Sequence, residues 1–126
     1  MKPDILKRKK YGLHYTADHM LTFLRDTIHF FDDAWSSSHE LVHRLIRPSS
    51  FIILESGNFV IGRFELSSRN GKTSKLQTRR IRGRKDPFLS PASRRALYRE
   101  DDVVQEDSSL GDVWALGVTI LTMMRL

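Results

Sequence analysis

Residues 42–68 read VHRLIRPSSFIILESGNFVIGRFELSS, and this stretch decides the fold class. Its centre holds two runs rich in β-branched and aromatic residues, 51–54 and 59–62, which flank the turn sequence ESGN. Two short apolar runs around a glycine-containing turn predict an antiparallel β-hairpin. Since the other periodic segments of the chain have helical spacing, we expect an α+β fold that is mainly helical and has one small β-hairpin.

Helical patterns lie on both sides of this hairpin. Upstream, apolar residues at positions 20, 24, 28, 31 and 35 predict an amphipathic helix over residues 17–35. Downstream, Ser109 lies three residues before Asp112, a pattern similar to a capping box, and predicts a helix over residues 112–124. This second helix is apolar nearly all round, so we expect it to be buried on all sides. The charged residues 93–107 indicate a short helix and then an irregular connection.

Length and composition limit the possible functions. With 126 residues and a net charge of +6, the chain fits one small domain or a piece of a larger one. It contains no cysteine, which excludes disulfides, thiolate metal sites and a cysteine nucleophile. No apolar run reaches the roughly 20 residues of a membrane-spanning helix. No apolar segment follows the charged first ten residues, so a signal peptide is not expected. We therefore expect a soluble fragment without a transmembrane segment, in a compartment that the composition leaves open.

Positive charge is concentrated in two segments. Residues 69–85 hold eight basic residues and no acidic one, and they lie within a stretch, 67–87, that is expected to be a long exposed loop. Residues 1–12 are interpreted as a basic tail. The basic loop indicates an acidic or phosphorylated protein surface, or an anionic membrane, as partner. Nucleic acid is a weaker alternative, because no aromatic residues interleave the charges to stack on bases.

The sequence HELVH at residues 39–43 matches a zinc-binding pattern. On a helix, His39 and His43 would share one face and could bind Zn²⁺, with Glu40 as general base. Glu65 lies at an acceptable distance along the chain to serve as a third ligand. A zinc metallopeptidase is therefore one alternative function.

The stretch 42–68 also resembles the catalytic loop, hairpin and magnesium loop of protein kinases. Asp112, Trp114 and Gly117 are similar to the D-x-W-x-x-G signature of the buried central helix of the kinase large lobe. Residues 89–92 lie where kinases carry A-P-E, with Ala92 in place of the glutamate. The resemblance covers residues 13–126 and implies an incomplete kinase-like C-terminal lobe, running from the helix before the catalytic loop to the central helix.

The same resemblance implies that the chain does not catalyse phosphoryl transfer, which needs a base and metal-binding oxygens. The catalytic Asp corresponds to Leu45, and the Lys that follows it corresponds to Arg47. The metal-binding Asn and Asp correspond to Ser50 and Arg63. Neither ATP nor Mg²⁺ binding is expected, and this pattern is that of a pseudokinase.

Other kinase positions keep residues with an architectural role. The resemblance implies that Asp112 accepts hydrogen bonds from the backbone of the catalytic loop and that the aromatic residues are part of the core. It also implies that a phosphate on Thr73, Ser74 or Thr78 would be bound by an arginine of the catalytic loop. The positions assigned to the structural motif are His43, Arg44, Phe64, Asp112, Trp114 and Gly117.

A narrower resemblance concerns residues 62–71, GRFELSSRNG, followed by the basic loop and DVWALG. They are similar to degenerate members of the rhoptry kinase family of apicomplexan parasites, which implies a secreted scaffold that binds host proteins. The expected function is a protein-interaction or allosteric scaffold with an unidentified protein partner. The zinc peptidase and the binder of nucleic acid or anionic surfaces stay open as alternatives.

Overall fold

The computed structural model describes residues 1–36, 40–70 and 74–125. Within these ranges the chain is α+β and mainly helical, with four α-helices and one antiparallel two-stranded sheet. Short 3-10 turns at Pro48–Ser50 and Thr78–Arg80 interrupt the connections. In chain order the helices and strands are α1 (Lys2–Tyr11), α2 (Ala17–Ser36), β1 (Phe51–Ile53), β2 (Phe59–Ile61), α3 (Pro91–Arg99) and α4 (Ser108–Met124).

The predicted hairpin and the predicted helix over 17–35 are both present, and they pack together. Phe23 of α2 is fully buried, and its ring meets Phe51 and Phe59 edge-on at centroid distances of 4.9 and 5.0 Å. Asp26, one turn further along α2, accepts a 2.8 Å hydrogen bond from the backbone N–H of Phe59. An aromatic cluster and a charge-assisted hydrogen bond thus fix the hairpin on the helix.

The basic tail predicted for residues 1–12 is wrong as a structural description, because residues 2–11 form helix α1. A proline in the first turn favours helix initiation, and Gly12 ends the helix in the left-handed conformation with φ 64°. Asp4 accepts hydrogen bonds from Arg8 at 2.9 Å and from the Tyr15 hydroxyl at 2.6 Å. Ile5 is buried in the main core, so α1 belongs to the folded domain.

The basic segment, residues 69–85, is only partly the exposed loop that was expected. Leu76 and Ile81 are buried in a second apolar cluster together with Leu89, Ala96 and Val104. Gln77 pairs with Val103 in an isolated β-bridge, and the Leu76 carbonyl accepts a 2.9 Å hydrogen bond from Val104 N–H. The irregular connection after α3 is therefore ordered against the basic segment.

Helix α4 differs from its prediction at its start and in its burial. Asp107 caps the helix by accepting a 2.9 Å hydrogen bond from Ser109 N–H, so the capping box of Ser109 and Asp112 is wrong. Burial on all sides is also wrong. One face, which includes Ala115 and Met123, is buried, whereas the opposite face, which includes Leu121, is exposed.

None of the helices in the described part of the chain combines the length and the apolar character that crossing a bilayer requires.

Candidate functional site

Asp112 of α4 binds the loop that precedes the hairpin. Its Oδ2 accepts a 2.8 Å hydrogen bond from His43 N–H, and its Oδ1 accepts one of 2.8 Å from Arg44 N–H. Arg44 adopts the left-handed conformation with φ 69°, which brings the two consecutive N–H groups to one carboxylate. Asp112 is 1% exposed, and burial raises its pKa to about 6 although both N–H donors and Arg44 favour the charged form. These are the backbone contacts that the resemblance to kinases implies for Asp112.

The His43 ring connects this loop to the end of β2. Leu45 N–H donates to Nδ1 at 3.1 Å, so the proton of the neutral ring is on Nε2, which donates to the Gly62 carbonyl at 2.6 Å. Burial lowers the pKa of His43 below its usual value, which favours this neutral form. The Phe64 ring packs against His43 at a centroid distance of 5.0 Å.

The Arg44 side chain ties the same loop to the start of α4 and to the basic segment. Its Nε donates to Ser108 Oγ at 2.9 Å, and its Nη2 donates to the Ser74 carbonyl at 2.7 Å. A cavity of about 30 Å³ borders Arg44 and is lined in part by Ser90 and Glu106, whose side chains are joined by a 2.8 Å hydrogen bond. A space of this size fits water rather than an organic ligand.

Arg47 lies in a charge cluster that the sequence did not predict. Its Nη2 pairs with Asp86 Oδ2 at 3.2 Å, and Arg84 binds both oxygens of the same carboxylate at 2.9 and 3.1 Å. Burial opposes ionisation, but Arg84 and Arg47 outweigh it and lower the pKa of Asp86. The sequence feature that could have indicated this cluster is the position of Asp86, which is the first acidic residue after the basic segment and directly precedes Pro87.

The resemblance to kinases assigns the base and the metal ligands to the positions of Leu45, Ser50 and Arg63. Leu45 is apolar and half-buried. Ser50 is buried, and its hydroxyl donates to the Leu45 carbonyl. Arg63 is an exposed cation in the left-handed conformation with φ 59°. Leu45 has no titratable group, and the Arg63 guanidinium repels a cation, so neither of these two side chains can act as a general base or bind Mg²⁺.

Three members of the predicted structural motif lie away from the core. Phe64 and Trp114 are 43% and 40% exposed, so their prediction as core aromatics is wrong. Trp114 lies on the outer face of α4, where its Nε1 donates to the Pro87 carbonyl at 3.0 Å. Gly117 is on this outer face too, and a Cβ added there would meet no atom of the described chain within 4 Å.

The conditions for the zinc hypothesis are not met in the part of HELVH that the structure describes. His39 lies outside the described residues. Residues 40–43 are not helical, because Val42 forms a β-bridge with Ser68, and both ring nitrogens of His43 have protein partners. Within residues 1–36, 40–70 and 74–125, no three His, Cys, Asp or Glu side chains are grouped to hold a metal ion.

The three expected phosphate sites have different outcomes. Thr73 lies outside the described residues, and Thr78 is buried, with its hydroxyl bonded to the Asp101 and Asp102 carbonyls. Arg44, the expected phosphate ligand, already donates to the Ser74 carbonyl. The geometry therefore counts against Thr78 as a phosphate site, whereas Ser74 lies beside Arg44 and stays a prediction.

Comparison with protein-family models and with curated proteins finds no match to this chain. The functional assignment therefore depends on the geometry and chemistry of the residues described above.

Replacing Asp112 by Asn should change how stability depends on pH. Between about pH 6 and pH 4, folded Asp112 keeps a proton that the unfolded chain, with the ordinary pKa of 3.8, releases. Proton binding to this carboxyl therefore stabilises the folded state as the pH falls. The free energy of unfolding of the wild type, minus that of Asp112→Asn, should rise by about 2 kcal/mol between pH 7 and pH 4.

Urea unfolding followed by circular dichroism at several pH values measures this difference. The control is Asp33→Asn, the same chemical change at an exposed position of α2, which separates the burial of Asp112 from the loss of a carboxylate as such. A difference for Asp112→Asn that shrinks toward low pH would mean that the two N–H donors stabilise the charged carboxylate more than burial penalises it.

Proposed function

We propose that this chain is a catalytically inactive, protein-kinase-like scaffold that acts by binding a protein partner. The observation that carries the proposal is the buried Asp112 carboxylate, bonded to the backbone of His43 and Arg44. It supports a kinase-like arrangement of the loop, hairpin and central helix. The side chains that would perform phosphoryl transfer are absent from the same loop.

The charge distribution around this loop supports a non-catalytic role. Phosphoryl transfer requires groups that hold Mg²⁺ and orient a hydroxyl. Here Arg63 places a positive charge at the metal position, and Arg47 is engaged by Asp86. An ordered loop without these groups is consistent with a protein that functions by binding a partner through its surface.

The basic segment indicates the chemistry of the partner. Burial of Leu76, Thr78 and Ile81 holds the segment on the second core, while Arg79 and Arg82 point to solvent from the same turn region. Because the backbone that carries these arginines is already ordered, binding a carboxylate costs only the conformational entropy of the side chains. An acidic protein segment is therefore the proposed partner.

Mg²⁺–ATP should leave the thermal unfolding midpoint of the chain unchanged. A ligand present at 100 times its Kd would stabilise the folded state by about 2.7 kcal/mol, a shift of several degrees in a domain of this size. Differential scanning fluorimetry with millimolar nucleotide measures the midpoint. A magnesium-dependent rise would contradict the assignment of Leu45, Ser50 and Arg63 and favour a nucleotide-binding protein.

A fluorescent peptide of alternating Glu and Ser should bind the chain and lose affinity in the double variant Arg79→Gln/Arg82→Gln. Loss of two charge-assisted contacts should weaken binding by about tenfold or more. The control is Lys7→Gln/Lys9→Gln, which removes the same charge from exposed positions of α1 and should bind as the wild type does.

Fluorescence anisotropy at about 150 mM salt, where long-range attraction between exposed charges is screened, measures these affinities. Equal weakening by both double variants would show that only net charge matters and would contradict a specific surface. Tighter binding of single-stranded DNA than of the peptide would favour the nucleic-acid alternative over the protein partner.

A further inference from the structure

The outward face of α4 carries a continuous apolar stripe, although the rest of the helix is packed into the protein. Asp112, Ala115, Thr119 and Met123 form the buried face. The only ionisable residue of α4 is Asp112, which is on the buried face. The outward face therefore carries no charged side chain that would favour its exposure to water. The exposed large apolar residues of the helix are Leu110 (59% exposed), Val113 (51%), Trp114 (40%), Leu121 (49%) and Met124 (66%).

The stripe is symmetric about Gly117. Leu110 and Met124 lie seven residues before and after this glycine, and Val113 and Leu121 lie four residues before and after it. If two copies of α4 pack antiparallel with Gly117 against Gly117, Leu110 of each copy meets Met124 of the other. An isologous contact requires this reciprocity, in which residue i meets j and j meets i.

Gly117 and Trp114 have two properties that are common at protein interfaces. A Cβ at Gly117 would meet no atom of the described chain, so the glycine leaves a notch in which two helices can approach closely. The hydrogen bond from Trp114 Nε1 to the Pro87 carbonyl fixes the orientation of the indole on the surface of the unbound chain. Aromatic side chains fixed in advance are typical anchors of interfaces.

The charges at the two ends of α4 complement each other in the antiparallel arrangement. Asp107 caps the N-terminus, and Arg125 directly follows the C-terminus. Antiparallel packing places Arg125 of one copy near Asp107 of the other, and the two helix dipoles oppose each other favourably. A parallel pair would instead bring like charges together at each end.

We propose that the outward face of α4 binds a second copy of this chain in an antiparallel, two-fold symmetric contact centred on Gly117. This inference does not depend on the proposed scaffold function, since it uses the opposite face of α4 from the Asp112 contacts. The occupant is the same chain, because the spacing of the apolar residues about Gly117 and the charges at the two helix ends are self-complementary.

Sedimentation equilibrium of the full chain tests the association. The wild type should be a dimer at tens of micromolar, and Leu121→Glu should raise the dimer Kd by about 100-fold or more, because it buries an unpaired charge. The control Ile28→Glu changes an exposed apolar residue of α2 in the same way and should leave the dimer intact. Circular dichroism checks that both variants keep their helices.

Disulfide cross-linking tests the register in an otherwise unchanged background, since the chain has no cysteine. Disulfides form only when the two Cα atoms are within about 7 Å. Gly117→Cys should therefore cross-link across the two-fold axis. Leu110→Cys alone should not, whereas the double variant Leu110→Cys/Met124→Cys should.

Three results would overturn the proposal. The first is a wild type that stays monomeric at about 100 µM, which is above the concentration at which the dimer is expected. The second is a dimer that Leu121→Glu and Ile28→Glu weaken equally. The third is efficient cross-linking of Leu110→Cys alone, which would indicate a parallel pair.

Discussion

The Asp112 carboxylate is the contact on which the arrangement of the candidate site depends. It accepts hydrogen bonds from two backbone N–H groups that lie 69 and 68 residues earlier in the chain. Buried N–H groups need an acceptor, and no regular strand or helix supplies one at His43 and Arg44. With both donors on one carboxylate, His43 is directed to Gly62 and Arg44 to Ser108 and the Ser74 carbonyl.

Two apolar clusters stabilise different parts of the fold. The main cluster joins α1, α2, the hairpin and α4, and the second holds the basic segment against α3 and the connection that follows it. Arginines therefore project from an ordered frame next to a loop without reactive groups. This combination is the basis of the proposal that the chain binds an acidic protein segment.

The parts of the fold that were predictable are those with a local signal. Helix α2 has a clear 3.6-residue period, and the hairpin has a glycine turn between β-rich runs. In α1 the signals were present but weak. A proline lies in the first turn and a glycine follows the last, but most residues between them are charged and Ile5 is the single buried apolar residue of the helix.

Other features depend on contacts between distant residues, which local patterns do not reveal. Leu76 and Ile81 are lone apolar residues in a basic segment, so no period marks them as core. The hydropathy of α4 does not indicate which of its faces is covered. The pairing of Arg47 with Asp86 spans 39 residues, and only the assembled structure brings the two together. The Asp112 contact was expected only through the family resemblance.

Amide hydrogen exchange of His43 and Arg44, measured by NMR on the wild-type chain, tests the central contact most directly. If both N–H groups are bonded to the buried carboxylate, they exchange only when the domain unfolds, as slowly as the buried amide of Thr27 in α2. Exchange as fast as that of the exposed hairpin turn at Ser56 would mean that the loop is not held by Asp112, and it would contradict this account of the site.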